Sequence, residues 1–218
     1  MFSDLQLLEV VRGEESLMKA AFALTAVAGL TASVHAGFGP FGGGAIPDAI
    51  TSHVTPGVLT LTGVVSGGGT VNNIAVTTDL THTWVGDISM TITSPMGTTV
   101  DLVFRAGQTG ATSFGDSSDF GGAYTWADGG AGFWAAAAAA GSTVAVPPGT
   151  YAASGNLNAA SSLAALNGES ADGVWTLVVR DWGGGDTGSV NSWSITPAPG
   201  AAALFGLAGL AGIRRRRA

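Results

Sequence analysis

From about Pro47 to Thr196, apolar residues recur at every second position in short runs separated by glycine, proline and asparagine. In "NIAVTTDL" Ile74, Val76, Thr78 and Leu80 share one face, and in "DISMTIT" Ile88, Met90 and Ile92 do the same. "TTVDLVFRA" aligns Val100, Leu102 and Phe104, "GVWTLVVRDW" aligns Trp175, Leu177 and Val179, and "NSWSIT" aligns Trp193 and Ile195. "GVLTLTGVV" alternates from Val58. Side chains on a strand point alternately to its two faces, so such runs predict half-buried antiparallel strands. "SPMGTT" and "GGGDTGS" supply hairpin-like turns between them. The expected fold is all-β, a sandwich or jelly roll of mainly antiparallel strands.

Two stretches break the pattern. Gly37 to Ile46, "GFGPFGGGAI", reads as a flexible glycine-rich leader to the domain at 47–196. Between Ala106 and Thr150 the alternation lapses, and six alanines, Ala135 to Ala140, read as a loop insertion rather than a short helix. No internal repeat is visible.

Composition narrows the function classes. The 218 residues include 35 glycines, six tryptophans and no cysteine, so disulfides and thiolate zinc sites are excluded. From Gly37 to Pro197 eleven acids face only Arg105 and Arg180, a net charge of −9. Binding nucleic acid requires cations to replace the counterions on phosphate, so no nucleic-acid partner is expected. Ten of those acids are aspartates, mostly in loop-like sequence, which suits turns and also hard cations such as calcium.

The basic residues gather at the ends instead. From Met18, "MKAAFALTAVAGLTASVHAG" has a positive start at Lys19, an apolar stretch, and a small-x-small pattern ending at Ala36. Those are the parts of a secretory signal peptide over 18–36, which leaves 1–17 as a mis-assigned upstream start. At the other end, 197–218, thirteen apolar and small residues from Ala201 to Ile213 precede Arg214 to Arg217. As a helix that run would span about 20 Å, short of a hydrocarbon core of roughly 30 Å. A proline-bounded apolar run before an arginine cluster resembles the PEP-CTERM sorting signal, with Pro197-Ala198-Pro199 in place of Pro-Glu-Pro. The resemblance implies transient membrane anchoring, cleavage by an exosortase-type enzyme, and delivery to the surface of a Gram-negative-type bacterium or its surroundings.

A second resemblance covers about 150 residues of the middle. It rests on His82-Thr83-Trp84, Gly86-Asp87, Ser94-Pro95 with Gly97-Thr98, and Asn167-Gly168. It continues through Gly173-x-Trp175-Thr176-Leu177, Asp181, Gly185-Asp186-Thr187-Gly188 and Trp193. In that order and spacing these resemble the P domain, or Homo B domain, that follows the catalytic domain of subtilisin-like proprotein convertases. The resemblance implies a jelly-roll sandwich of about eight strands and a non-catalytic role.

The residues agree with the absence of catalysis. There is no Gly-x-Ser-x-Gly elbow or subtilisin-type serine motif, and the chain leaves no room for a protease domain beside the sandwich. Only His53 and His82 remain as imidazoles after signal cleavage. A triad of His82, Asp87 and a serine would have to assemble across the fold; the plainer reading makes His82 structural. For calcium the candidate ligands are Asp87, Asp116, Asp119, Asp128, Asp181 and Asp186, which the resemblance favours because some bacterial P domains hold calcium. Trp84, Trp175 and Trp193 read as core, while Trp126, Trp134 and Trp182 lie in loop-like sequence where an exposed ring would stack on a sugar.

The function expected is thus an exported non-catalytic module of the envelope or matrix, with an envelope glycan or a protein as partner. The alternatives are a carbohydrate-binding module and an accessory subunit of a separately encoded secreted protease.

Overall fold

The computed structural model describes residues 37–197. The expected upstream start, signal peptide and sorting tail lie outside the described residues, apart from Pro197.

Nine strands form two sheets that enclose one core. β1 (Phe38–Ile46), β3 (Ile74–His82), β6 (Phe120–Gly132), β7 (Gly149–Ala152) and β9 (Gly188–Pro197) make the first sheet, in the order β1-β9-β3-β6-β7. β2 (Gly57–Val65), β4 (Ile88–Thr93), β5 (Thr99–Phe104) and β8 (Gly173–Asp181) make the second, ordered β2-β8-β4-β5. All pairings are antiparallel except β6 with β7. The protein is an all-β sandwich.

The predicted faces are the buried ones. Ile74, Val76, Thr78 and Leu80 on β3 point inward, opposite Trp175, Leu177 and Val179 on β8 and Ile88, Met90 and Ile92 on β4. Thr78 is tolerated there because its hydroxyl accepts the indole N–H of buried Trp126 at 3.0 Å. The turn "SPMGTT" joins β4 to β5 as expected, with the Ser94 amide donating to the Thr98 carbonyl and Gly97 at φ +91°.

Four expectations give way. The glycine-rich segment is not a flexible leader but β1, paired along β9 from Phe38↔Ile195 to Ile46↔Gly188. Its Phe41 ring packs on Trp193 at 4.6 Å and lies over Gly63 of β2, where a Cβ would stand 2.6 Å from the ring. "GGGDTGS" does not close a hairpin, because β8 and β9 belong to different sheets; it carries the chain from one layer to the other. The alanine run forms α1 (Phe133–Ala140) rather than a loop. Alanine is the best helix former, and Phe133 anchors the helix by stacking on Phe120 at 5.3 Å and meeting Tyr151 edge-on at 5.1 Å. Trp126, expected in a loop, is fully buried on β6 within the same aromatic cluster. Of the three tryptophans expected in the core, Trp175 and Trp193 are buried and Trp84 is half-buried; Trp134 and Trp182 are also half-buried.

Candidate functional site

One end of the sandwich gathers the charged residues. Register places His82 at the end of β3 opposite Gly188, Ile88 opposite Asp181, and Ser89 opposite Phe104. The β3–β4, β5–β6 and β8–β9 connections therefore meet there, together with the loop that leads into β2. Residues far apart in sequence are delivered to one place by the pairing of their strands.

His82 and Asp181 form a sealed pair. The His82 Nε2–H donates to Asp181 Oδ2 at 3.1 Å, and both side chains are 0% exposed. The Gly183 amide donates to the other Asp181 oxygen at 3.1 Å, and His82 Nδ1 lies 3.0 Å from the Trp84 carbonyl. Asp87, 1% exposed, sits beside them with Oδ1 lacking a hydrogen-bond partner. Its carboxylate lies so close to Gly183 that a Cβ there would stand 2.0 Å from Oδ2, which explains the glycine. Burial, reinforced by the Asp181 charge, pushes the Asp87 carboxyl up to about 7; Arg105 and His82 oppose the shift and Asp186 adds to it.

Arg105 is buried differently. It is 2% exposed, at φ +40°, and among the described residues no carboxylate stands within ion-pair distance. Its Nε–H donates to the Gly86 carbonyl at 3.2 Å, Nη1–H to the Ala111 carbonyl at 3.4 Å, and Nη2–H to the Ser113 carbonyl. Nη2 also donates to His53 Nδ1 at 3.0 Å. The guanidinium lies 5.9 Å from the centre of the Trp182 ring, whose indole N–H is held by Ser89 Oγ at 2.9 Å. Burial lowers the pKa of both His53 and Arg105; the Arg105 charge lowers His53 further, while Asp87 offsets part of the effect on Arg105. A cavity of about 250 Å³ opens against this group.

The six aspartates expected to bind calcium do not share one set of contacts. Asp87 and Asp181 are neighbours, and Asp186 stands near enough to raise Asp87 while accepting the Thr83 hydroxyl at 2.9 Å. Asp119 is half-buried with one oxygen unpartnered, its carboxyl raised by burial and by Asp186. Asp116 accepts the Ser118 amide at 2.9 Å, and its own amide and carbonyl pin the loop to Ala106 and Gly86. Asp128 caps a turn reached from β6, accepting the Leu163 and Ala164 amides and the Ser162 hydroxyl at 2.9–3.0 Å. Among the described residues no three His, Asp or Glu side chains are grouped to hold a metal ion. The partner of His82 is Asp181, not Asp87, and no serine hydroxyl is hydrogen-bonded to His82 among the described residues.

Sequence reasoning passed over His53, Arg105 and Gln108. The available signal was thin: Arg105 is one of only two cations between Gly37 and Pro197, and it directly follows a predicted strand.

The family model of the proprotein convertase P-domain matches residues 71–197. No curated protein matches the chain. Among solved structures it is similar to the serine protease of Aeromonas sobria, at 19% identity and a TM-score of 0.38, covering 70% of this chain and 24% of that one. It is also similar to a chain of the complex between that protease and its chaperone, at 18% identity and a TM-score of 0.36, with the same coverage. The chain spans 24% of the length of these proteins. The family match takes in more than half of the sequence, including the β3–β4 and β8–β9 connections that build the charged end: the chain belongs to the proprotein convertase P-domain family.

Proposed function

We propose that this chain is an exported, non-catalytic P-domain module that serves a binding role at the cell envelope or in the extracellular matrix. The observation that carries the proposal is the sealing of His82 and Asp181. A general base must reach its substrate within hydrogen-bond distance, and both side chains are 0% exposed with their polar atoms already engaged. Membership of the P-domain family supports the same reading. The tail and signal-peptide patterns of the sequence support export, transient anchoring and cleavage by an exosortase-type enzyme.

The test is a hydrolase screen of the full chain beside His82→Ala, using peptide, ester and glycoside substrates. Both proteins are expected to be silent; turnover that disappears with His82 overturns the proposal. Calcium is checked separately. Melting midpoints are compared in calcium and in a chelator, and equal midpoints would count against a bound ion. A bound ion at a hundredfold excess would instead add about 2.7 kcal/mol.

A second reading, favoured by the family match, makes the chain an accessory subunit of a separately encoded secreted protease. It requires copurification with that protease and a change in its activity.

A further inference from the structure

We infer that the cavity beside Arg105 is a binding site for one neutral saccharide residue; this rests on the binding role proposed above and names its ligand class.

The cavity is lined by His53, Phe104, Arg105, Gln108, Leu157 and Trp182, among others, and its volume is about 250 Å³. That is below the roughly 300–1,000 Å³ of pockets for drug-sized ligands, so it suits a single ring. Three of its lining residues, His53, Arg105 and Leu157, hold positive φ of 64°, 40° and 52°. Only six non-glycine residues in the described chain do so, and a fourth, Asn158, is adjacent to Leu157. Residues held in this region of backbone space concentrate where a surface is shaped for function. Gln108 lines the same cavity. It is 6% exposed and its Nε2 donates to the Gly110 carbonyl at 3.0 Å, but its Oε1 has no partner. A buried acceptor left unmatched is costly unless a ligand or water supplies the donor.

The polar groups select the ligand. Arg105 is caged by three backbone carbonyls and His53, so most of its donors are spent and an anion has little to gain there. Because Arg105 donates to His53 Nδ1, the imidazole is neutral and carries its proton on Nε2, as a donor. A donor at His53 calls for a ligand whose polar groups can accept, as hydroxyls do. The walls are apolar: Phe104 and Trp182 at 6.2 Å from each other, and Leu157, which is 56% exposed at the mouth. A ring with C–H faces and hydroxyl edges matches that combination, and a neutral sugar residue is the ordinary case.

The test titrates the full chain with cello-, chito- and malto-oligosaccharides, followed by tryptophan fluorescence and calorimetry. Ala111 is exposed and lines the cavity, so Ala111→Trp fills the mouth without touching the core. Met96→Trp, on the β4–β5 turn, is the control. At least one oligosaccharide is expected to saturate the protein, with binding weakened about tenfold or more by Ala111→Trp and unchanged by Met96→Trp. Failure of every sugar to bind, equal weakening by both variants, or saturation by unrelated peptides instead overturns the inference. If no sugar binds and the hydrolase screen stays silent, the site fails while the non-catalytic reading stands. If a sugar binds and is cleaved, the reverse holds.

Discussion

His82 and Arg105 are both buried basic side chains at one end of the sandwich, and they are satisfied in opposite ways. His82 faces a carboxylate, and the two seal each other from water. Arg105 faces backbone carbonyls and a neutral imidazole, and its surroundings open into a cavity. The hydrogen bond between His82 and Asp181 buries both side chains and ties β3 to β8 across the two layers. A carbonyl cage leaves net positive charge in place and shapes the loops around it. The first arrangement is architecture; the second leaves room for a ligand.

The largest effect expected from breaking this contrast falls on the pair. Asp181→Ala leaves His82 buried beside no acceptor and frees the Gly183 amide. Removing one member of a buried pair costs about 3–5 kcal/mol. For a domain of this size that lowers the melting midpoint by about 10 °C. A shift of only one or two degrees would mean that water replaces the carboxylate and that the pair is not sealed.

Asp87 comes next, because it sits between the two arrangements. Its folded carboxyl titrates at about 7, above the ordinary value of 3.8. The folded state therefore holds the proton more tightly than the unfolded state, and the sign of the linkage is fixed. The Asp87 contribution to stability is fully present below pH 4, is lost as pH rises towards 7, and is flat above that. The full change is at most about 4 kcal/mol. Asp181, Asp186, His82 and Arg105 act on the same carboxyl, so melts are compared with Asp87→Asn across pH 4–8. The variant is expected to lose most of the slope; an unchanged slope would assign it to other carboxylates.

Arg105→Lys follows, at about 2 kcal/mol, since an ammonium cannot reach the Gly86, Ala111 and Ser113 carbonyls together. If denaturant melts of the variant match those of the parent, the cage contributes shape but no stability.

What made one half of this contrast legible and the other not is the range of the interactions. The alternation of Ile74 to Leu80 and of Trp175 to Val179 is local, and it marked β3 and β8 correctly. β1 carries few side chains to alternate, and its strand character comes from pairing with β9 at the far end of the chain. On β6 the inward positions Phe120, Tyr124 and Trp126 are interrupted by Gly122, which hides the period. α1 is six alanines anchored by Phe133, and its tertiary contacts decide between helix and loop. At the charged end, Asp181 stood out as an acid in a glycine-rich connection. Its partner His82 is 99 residues away, so nothing in the spacing announced that the two side chains meet. Arg105 and Gln108 belong to no motif, and only the folded connections bring them to His53.

Asp128 gives the smallest expected effect and the sharpest contrast with that charged end. It was grouped with the other aspartates by composition, yet its oxygens cap the short turn at Leu163–Leu166, accepting the Leu163 and Ala164 amides. Losing such a cap costs about 1 kcal/mol. The Ser162 hydroxyl also accepts the Ala164 amide at 3.1 Å, so part of the capping survives in Asp128→Ala. The midpoint should fall by about 2–4 °C. Calcium makes the measurement discriminating. A cap acts without metal, so the fall should be the same in calcium and in chelator. A fall seen only in calcium would mean that Asp128 holds an ion rather than a turn.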